Sequence, residues 1–134
     1  METKSIEQLE NDVWENPSKF PSDMIERCYR YRKISIAELT KKQIKLLISQ
    51  KIGIEYLVEI AIEKLEWDIL TECEFYKGDL LMAIFNLPTK FWSENKADFL
   101  TFTRLVEQNS DLIKSELGEN KLEYLKERID NDIF

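Results

Sequence analysis

The stretch from Thr40 to Glu66 constrains the fold most, because it encodes a helix, a stop and a second helix without interruption. Thr40 followed three residues later by Gln43 is a capping box, the pair that satisfies two orphan N–H groups at a helix start. Ile44, Leu47 and Ile48 then recur at helical spacing among Lys41, Lys42 and Lys45. Gly53 stands where a left-handed helix end favours a residue without Cβ. Ile54, Leu57, Val58, Ala61 and Leu65 restart the same period at once. Tyr56 and Ile60 lie off that stripe, and a helix that is apolar on more than one side is covered by several neighbours. The pattern predicts a helix over 54–66 near the centre of a helical bundle.

The flanking chain reads the same way. Ser5 to Glu15 carries Ile6, Leu9, Val13 and Trp14 in amphipathic order, and Pro17 ends it. Ser22 reads as the N-cap of a helix with Met24, Ile25, Cys28 and Tyr31 on its core face, and 35–39 as a connector. Trp67 to Lys77 reads as a loop, and Gly78-Asp79 as a stop followed by an N-cap. The helix it opens holds Leu80, Leu81, Ile84 and Phe85 and ends near Pro88, with Thr89 or Ser93 capping the next helix. Phe99, Phe102, Leu105, Val106, Leu112 and Ile113 support one long helix or two pieces, and Gly118 separates them from a last helix with Leu122, Leu125 and Ile129. With 134 residues, three glycines and three prolines, the expectation is all-α: a compact single-domain bundle of about six helices over 1–134.

Composition narrows the chemistry. There is no histidine, which removes the commonest general base and metal ligand together with Ser-His and Cys-His nucleophile pairs. Cys28 and Cys73 have neither the number nor the spacing of a disulfide framework or zinc site, and read as reduced, partly buried thiols. Glu2, Glu7, Glu10, Asp12 and Glu15 are unlike the basic start of a signal peptide, and no apolar run approaches the roughly 18 residues of a membrane span. The expectation is a cytoplasmic chain with no cofactor, no metal and no membrane partner.

Charge is segmented. Residues 1–26 sum to −5, 27–51 to +7, 54–82 to −6 and 107–132 to −4, within a total of −7. Glu55, Glu59, Glu63 and Glu66 line one face of the 54–66 helix, where like charges one turn apart cost a few tenths of a kcal/mol per pair. Helix stability does not explain such a face. It is a solvated surface, a carboxylate metal or acid–base site, or a surface for a basic partner. A carboxylate site would make a hydrolase of Glu55, Glu59 or Glu63. The basic segment 27–51, with Tyr29 and Tyr31 for stacking, suggests a small regulatory nucleic-acid-binding helical protein as the alternative. A sequence pI near 4.8 argues against it and for internal pairing with the acidic segments.

A set of strings carries a resemblance. They run Leu39-Thr40, Leu46-Leu47-Ile48, Gln50-Lys51-Ile52-Gly53-Ile54-Glu55-Tyr56-Leu57, Ala61-Ile62-Glu63-Lys64-Leu65-Glu66, Phe75-Tyr76-Lys77-Gly78-Asp79-Leu80-Leu81 and Phe91-Trp92. In that order and spacing they resemble the immunity proteins of bacterial contact-dependent growth inhibition systems, over Trp14 to Trp92, about 60% of the chain. The resemblance implies a non-enzymatic cytoplasmic protein that binds and neutralises the C-terminal toxin domain of a sibling cell-surface effector. Many such toxins are nucleases, so the implied partner is a basic nuclease domain, and the protein itself contacts no nucleic acid. The shared Gly53, Gly78, Asp79, Leu80 and Leu81 then read as scaffold. The chain departs from the family's shorter, proline-containing acidic loop at Glu66-Trp67-Asp68-Ile69-Leu70-Thr71.

These readings converge on one surface. Glu59, Glu63, Glu66, Trp67, Asp68, Glu72 and Glu74 combine the densest negative charge, the departure from the family pattern and an aromatic residue flanked by acids. They are the candidate toxin-binding residues, with the acids between Glu107 and Asp132 as the second location.

Overall fold

A computed structural model describes residues 2–131. The described chain is all-α: α1 (Ile6–Glu10), α2 (Asp23–Tyr31), a 3-10 turn (Ile36–Glu38), α3 (Lys41–Ser49), α4 (Ile54–Trp67), α5 (Asp79–Phe85), α6 (Thr89–Glu94), α7 (Lys96–Gln108), α8 (Ser110–Leu117) and α9 (Glu119–Asn131). The described residues thus form nine α-helices rather than about six, and two asparagines account for much of the difference. The side-chain amides of Asn95 and Asn109 each donate 2.8 Å to a carbonyl four residues back, Phe91 and Leu105. That satisfies a terminal carbonyl and ends α6 and α7 without glycine. Neither Thr89 nor Ser93 is a cap: Pro88 precedes α6, and Asn95 precedes α7.

The chain divides into two compact units, Met1–Leu57 and Val58–Phe134. In the N-terminal unit, Ser5 and Gln8 form a capping box that opens α1. Asn11 closes the helix at φ 51°, so it stops at Glu10 instead of running to Glu15. Residues 2–5 pair with the connector: the amides of Ile36 and Ala37 donate 3.0 Å to the carbonyls of Lys4 and Glu2. Ser22 caps α2 as its sequence predicts, and α2 packs against α3 over buried Cys28, Tyr31, Ile44 and Leu47.

The Thr40–Gln43 capping box is present in full. The left-handed residue that closes α3, however, is Lys51 at φ 60°, not Gly53. The amide of Ile52 reaches Leu47 O, and that of Lys51 reaches Ile48 O, both at 2.9 Å, which is the Schellman pattern. Gly53, at φ 64°, opens α4. A Cβ there would lie 2.6 Å from Cδ1 of Ile6, which is fully buried, so both conformation and space exclude a side chain.

In the C-terminal unit, α6 packs on α7, α7 on α8 and α8 on α9. Trp92 stacks on Phe102 at 5.6 Å between centroids and meets Phe91 and Phe99 edge-on. Arg128 of α9 donates to Phe85 O at 2.8 Å and to Leu87 O at 3.1 Å, with its guanidinium 4.9 Å over the Phe85 ring. A cation thereby sits at the carboxyl end of α5, where helix carbonyls lack partners.

Candidate functional site

The site is built on α4 and the loop that succeeds it. Leu57, Val58, Ala61, Ile62 and Leu65 bury one side of α4, while Glu55, Glu59, Glu63 and Glu66 are exposed on the other. Tyr56 and Ile60, the residues off the stripe, are half-buried. Trp67 is the last residue of the helix, not the first of the loop, and it is 92% exposed.

The loop beyond it is tied down by its own polar groups. Asp68 Oδ1 accepts the Leu70 amide at 3.0 Å, and Thr71 donates to Asp68 O through its amide at 3.0 Å and its hydroxyl at 2.6 Å. Ile69 and Leu70 are buried beneath this turn. The Gly78 amide donates 3.1 Å to Leu70 O and brings the two ends of the loop together.

Asp79 departs from its sequence reading. Gly78, at φ 87°, occupies the N-cap position, and Asp79 is the first residue of α5, 2% exposed. Its carboxylate turns back to the loop and accepts three amides, from Cys73 at 2.8 Å and from Glu74 and Phe75 at 2.9 Å. Three convergent N–H donors are what make such a burial of a carboxylate tolerable. This tether holds the backbone of the segment that carries Glu72, Glu74, Phe75 and Tyr76.

All seven candidate residues therefore lie on one helix end and the adjoining loop of the C-terminal unit. Glu59, Glu63, Glu66, Trp67, Asp68 and Glu72 are exposed, and Glu74 is half-buried. Two aromatics of the loop are also outside: Phe75 is 70% and Tyr76 49% exposed, whereas Phe91 and Trp92 of α6 are buried. Their neighbours Glu72, Glu74 and Lys77 are the local signal for a loop tip. A further carboxylate escapes the sequence reading entirely. Asp98 of α7 is held above the usual carboxylate range by burial first and by the charge of Glu59 second, so it adjoins the acidic face. Among the described residues, no three acidic or cysteine side chains converge as a metal-binding group. Of the C-terminal acids, Asp132 lies outside the described residues.

Part of the basic segment is engaged internally, while Arg30, Lys41, Lys42 and Lys51 are exposed. Arg32 is 1% exposed, and its Nη2 donates 2.6 Å to Glu10 Oε1 and 2.8 Å to Asp12 O. Lys33 pairs with Glu7 at 2.8 Å, and Lys45 is buried. Tyr29 packs edge-on against Trp14 and Phe20, both at 5.0 Å, and Tyr31 is buried. Tyr31 is therefore a core ring, and Tyr29 is half-buried against two other aromatics. Cys28 lines a groove of about 570 Å³ with Trp14, Pro21, Ile25 and Tyr29, where burial pushes its thiol pKa up against the opposing charge of Arg27. A thiol held protonated is a poor nucleophile.

No helix among the described residues is long and apolar enough to cross a membrane. A family model of the CDI immunity proteins, those of contact-dependent growth inhibition, matches residues 8–102. No curated protein and no solved structure matches the chain.

Proposed function

The chain belongs to the family of CDI immunity proteins, which makes it a toxin-neutralising immunity protein, and from that premise we propose that it binds its toxin through the α4 carboxylate face and the Asp68–Gly78 loop. The observation that carries this reading is Trp67, an indole 92% exposed at the end of a helix whose outer face is acidic. Water-exposed indoles are costly for solubility and are among the strongest anchors once an interface covers them. The partner that fits is a basic domain, such as a nuclease whose groove holds nucleic-acid phosphates. Carboxylates offered to that groove occupy the positions of phosphates. Long-range attraction then speeds the encounter, and the buried indole slows release.

The tether at Asp79 supports this division of labour. A loop fixed by backbone bonds presents its side chains without an ordering cost on binding. Trp67→Ala is the direct test. Because Trp67 has little burial to lose, its replacement should leave stability within about 0.5 kcal/mol. Dissociation of the cognate toxin domain should accelerate by an amount equivalent to about 2 kcal/mol. Unchanged dissociation from a normally folded variant contradicts the assignment of the site.

A further inference from the structure

We infer that the Trp67 surface receives an arginine side chain of the partner, with the guanidinium lying on the indole and paired to Glu63, one turn back on the same helix face. This rests on the toxin-binding reading above and specifies its chemistry. The molecule contains the same set of groups already assembled. In the N-terminal unit, the Arg32 guanidinium lies 3.9 Å from the centroid of the Trp14 ring. It also donates to the Glu10 carboxylate at 2.6 Å and to the Asp12 carbonyl at 2.8 Å. Indole, carboxylate and carbonyl thus hold one planar cation, all from residues 10–14. Arg128 repeats part of the scheme, lying over the Phe85 ring while it donates to two carbonyls.

At the end of α4 the indole and the carboxylates recur on the surface. Glu63 precedes Trp67 by one helical turn on the same face, and the exposed Glu66 and Asp68 add negative charge on either side of that face. This arrangement selects arginine over lysine for a physical reason. A guanidinium is planar and weakly hydrated, so it can stack on a ring through its face while its edge donates to carboxylates. An ammonium is a strongly hydrated point charge that loses its water in making the same contact. Charge alone would accept either cation. The exposed indole discriminates.

Two peptides of equal charge, hexa-arginine and hexa-lysine, test this without the toxin. The chain has three tryptophans, so its ¹⁵N-labelled form gives three indole N–H resonances, and Trp67→Leu identifies the relevant one. At low salt, hexa-arginine should bind at least about fivefold tighter than hexa-lysine and shift the Trp67 resonance. The preference should disappear in Trp67→Leu, which replaces an exposed side chain and leaves the core untouched. Equal affinity for the two peptides, or a preference that survives in Trp67→Leu, overturns the inference. If that happens while Trp67→Ala still weakens toxin binding, the arginine is wrong and the site stands. If Trp67→Ala also leaves toxin binding unchanged, the site reading fails with it.

Discussion

The two units carry comparable numbers of cations and use their charge in opposite ways. Met1–Leu57 holds ten basic and nine acidic side chains, a net of +1, whereas Val58–Phe134 holds nine basic and seventeen acidic, a net of −8. In the first unit, cations are matched by local acceptors: Arg32 is enclosed by Glu10, the Asp12 carbonyl and Trp14, and Lys33 is bonded to Glu7. In the second, Glu59, Glu63 and Glu66 of α4 and Glu72 of the loop are exposed, and Asp98 adds to their density beside Glu59. The contrast separates two jobs that composition alone runs together. A paired charge specifies how a chain folds, and an excess of one sign left in water is available to a partner.

Arg32→Lys should have the largest effect on this contrast, and it belongs wholly to the first unit. A lysine keeps the charge but loses the planar guanidinium whose Nη2 reaches both Glu10 and the Asp12 carbonyl while its face lies on Trp14. The expected loss is about 1–3 kcal/mol, read as a lower urea midpoint, with toxin affinity unchanged for the folded protein. Unaltered stability would mean that the buried cation does not hold this unit together.

A smaller effect is expected from Asp98→Asn in the second unit. Its folded-state carboxyl is raised, so the folded chain binds more protons than the unfolded one, and native stability falls as pH rises above the usual aspartate value of 3.8. The variant lacks that penalty. Its stability relative to the native protein should therefore grow between about pH 3 and pH 6, by a few tenths of a kcal/mol for so solvated a group. Parallel pH profiles for the two proteins would remove Asp98 from the acidic face.

Local grammar is legible in this chain and distant pairing is not. The capping box at Thr40 and Gln43, the Ser22 cap and the helix over 54–66 depend on residues within four positions of each other, and all three are present. Lys51 is illegible because a left-handed lysine carries no signature until Leu47 and Ile48 offer their carbonyls. Asp79 reads as a cap because aspartate is a good one; burial of its carboxylate against three loop amides makes it a tether instead. Arg32 reads only as one cation of the basic segment 27–51 because its partners lie 20 and 22 residues upstream. Within the candidate site, the exposure of Trp67 follows from its acidic neighbours. That of Phe75 and Tyr76 has only the weaker signal of Glu72, Glu74 and Lys77, against the general tendency of aromatics to pack inside. Family membership gives the class of partner, and the charge contrast proposes where it binds.

The most direct measurement of that proposal is the association rate of the cognate toxin domain with a Glu63→Lys, Glu66→Lys double variant across a range of salt concentrations. Both side chains are exposed, and the first reversal relieves a like-charge pair with Glu59 one turn away, so folding should be unaffected. The association rate should be at least about tenfold lower at low salt, with a visibly flatter salt dependence. A native association rate and a native salt slope from the folded double variant would contradict it.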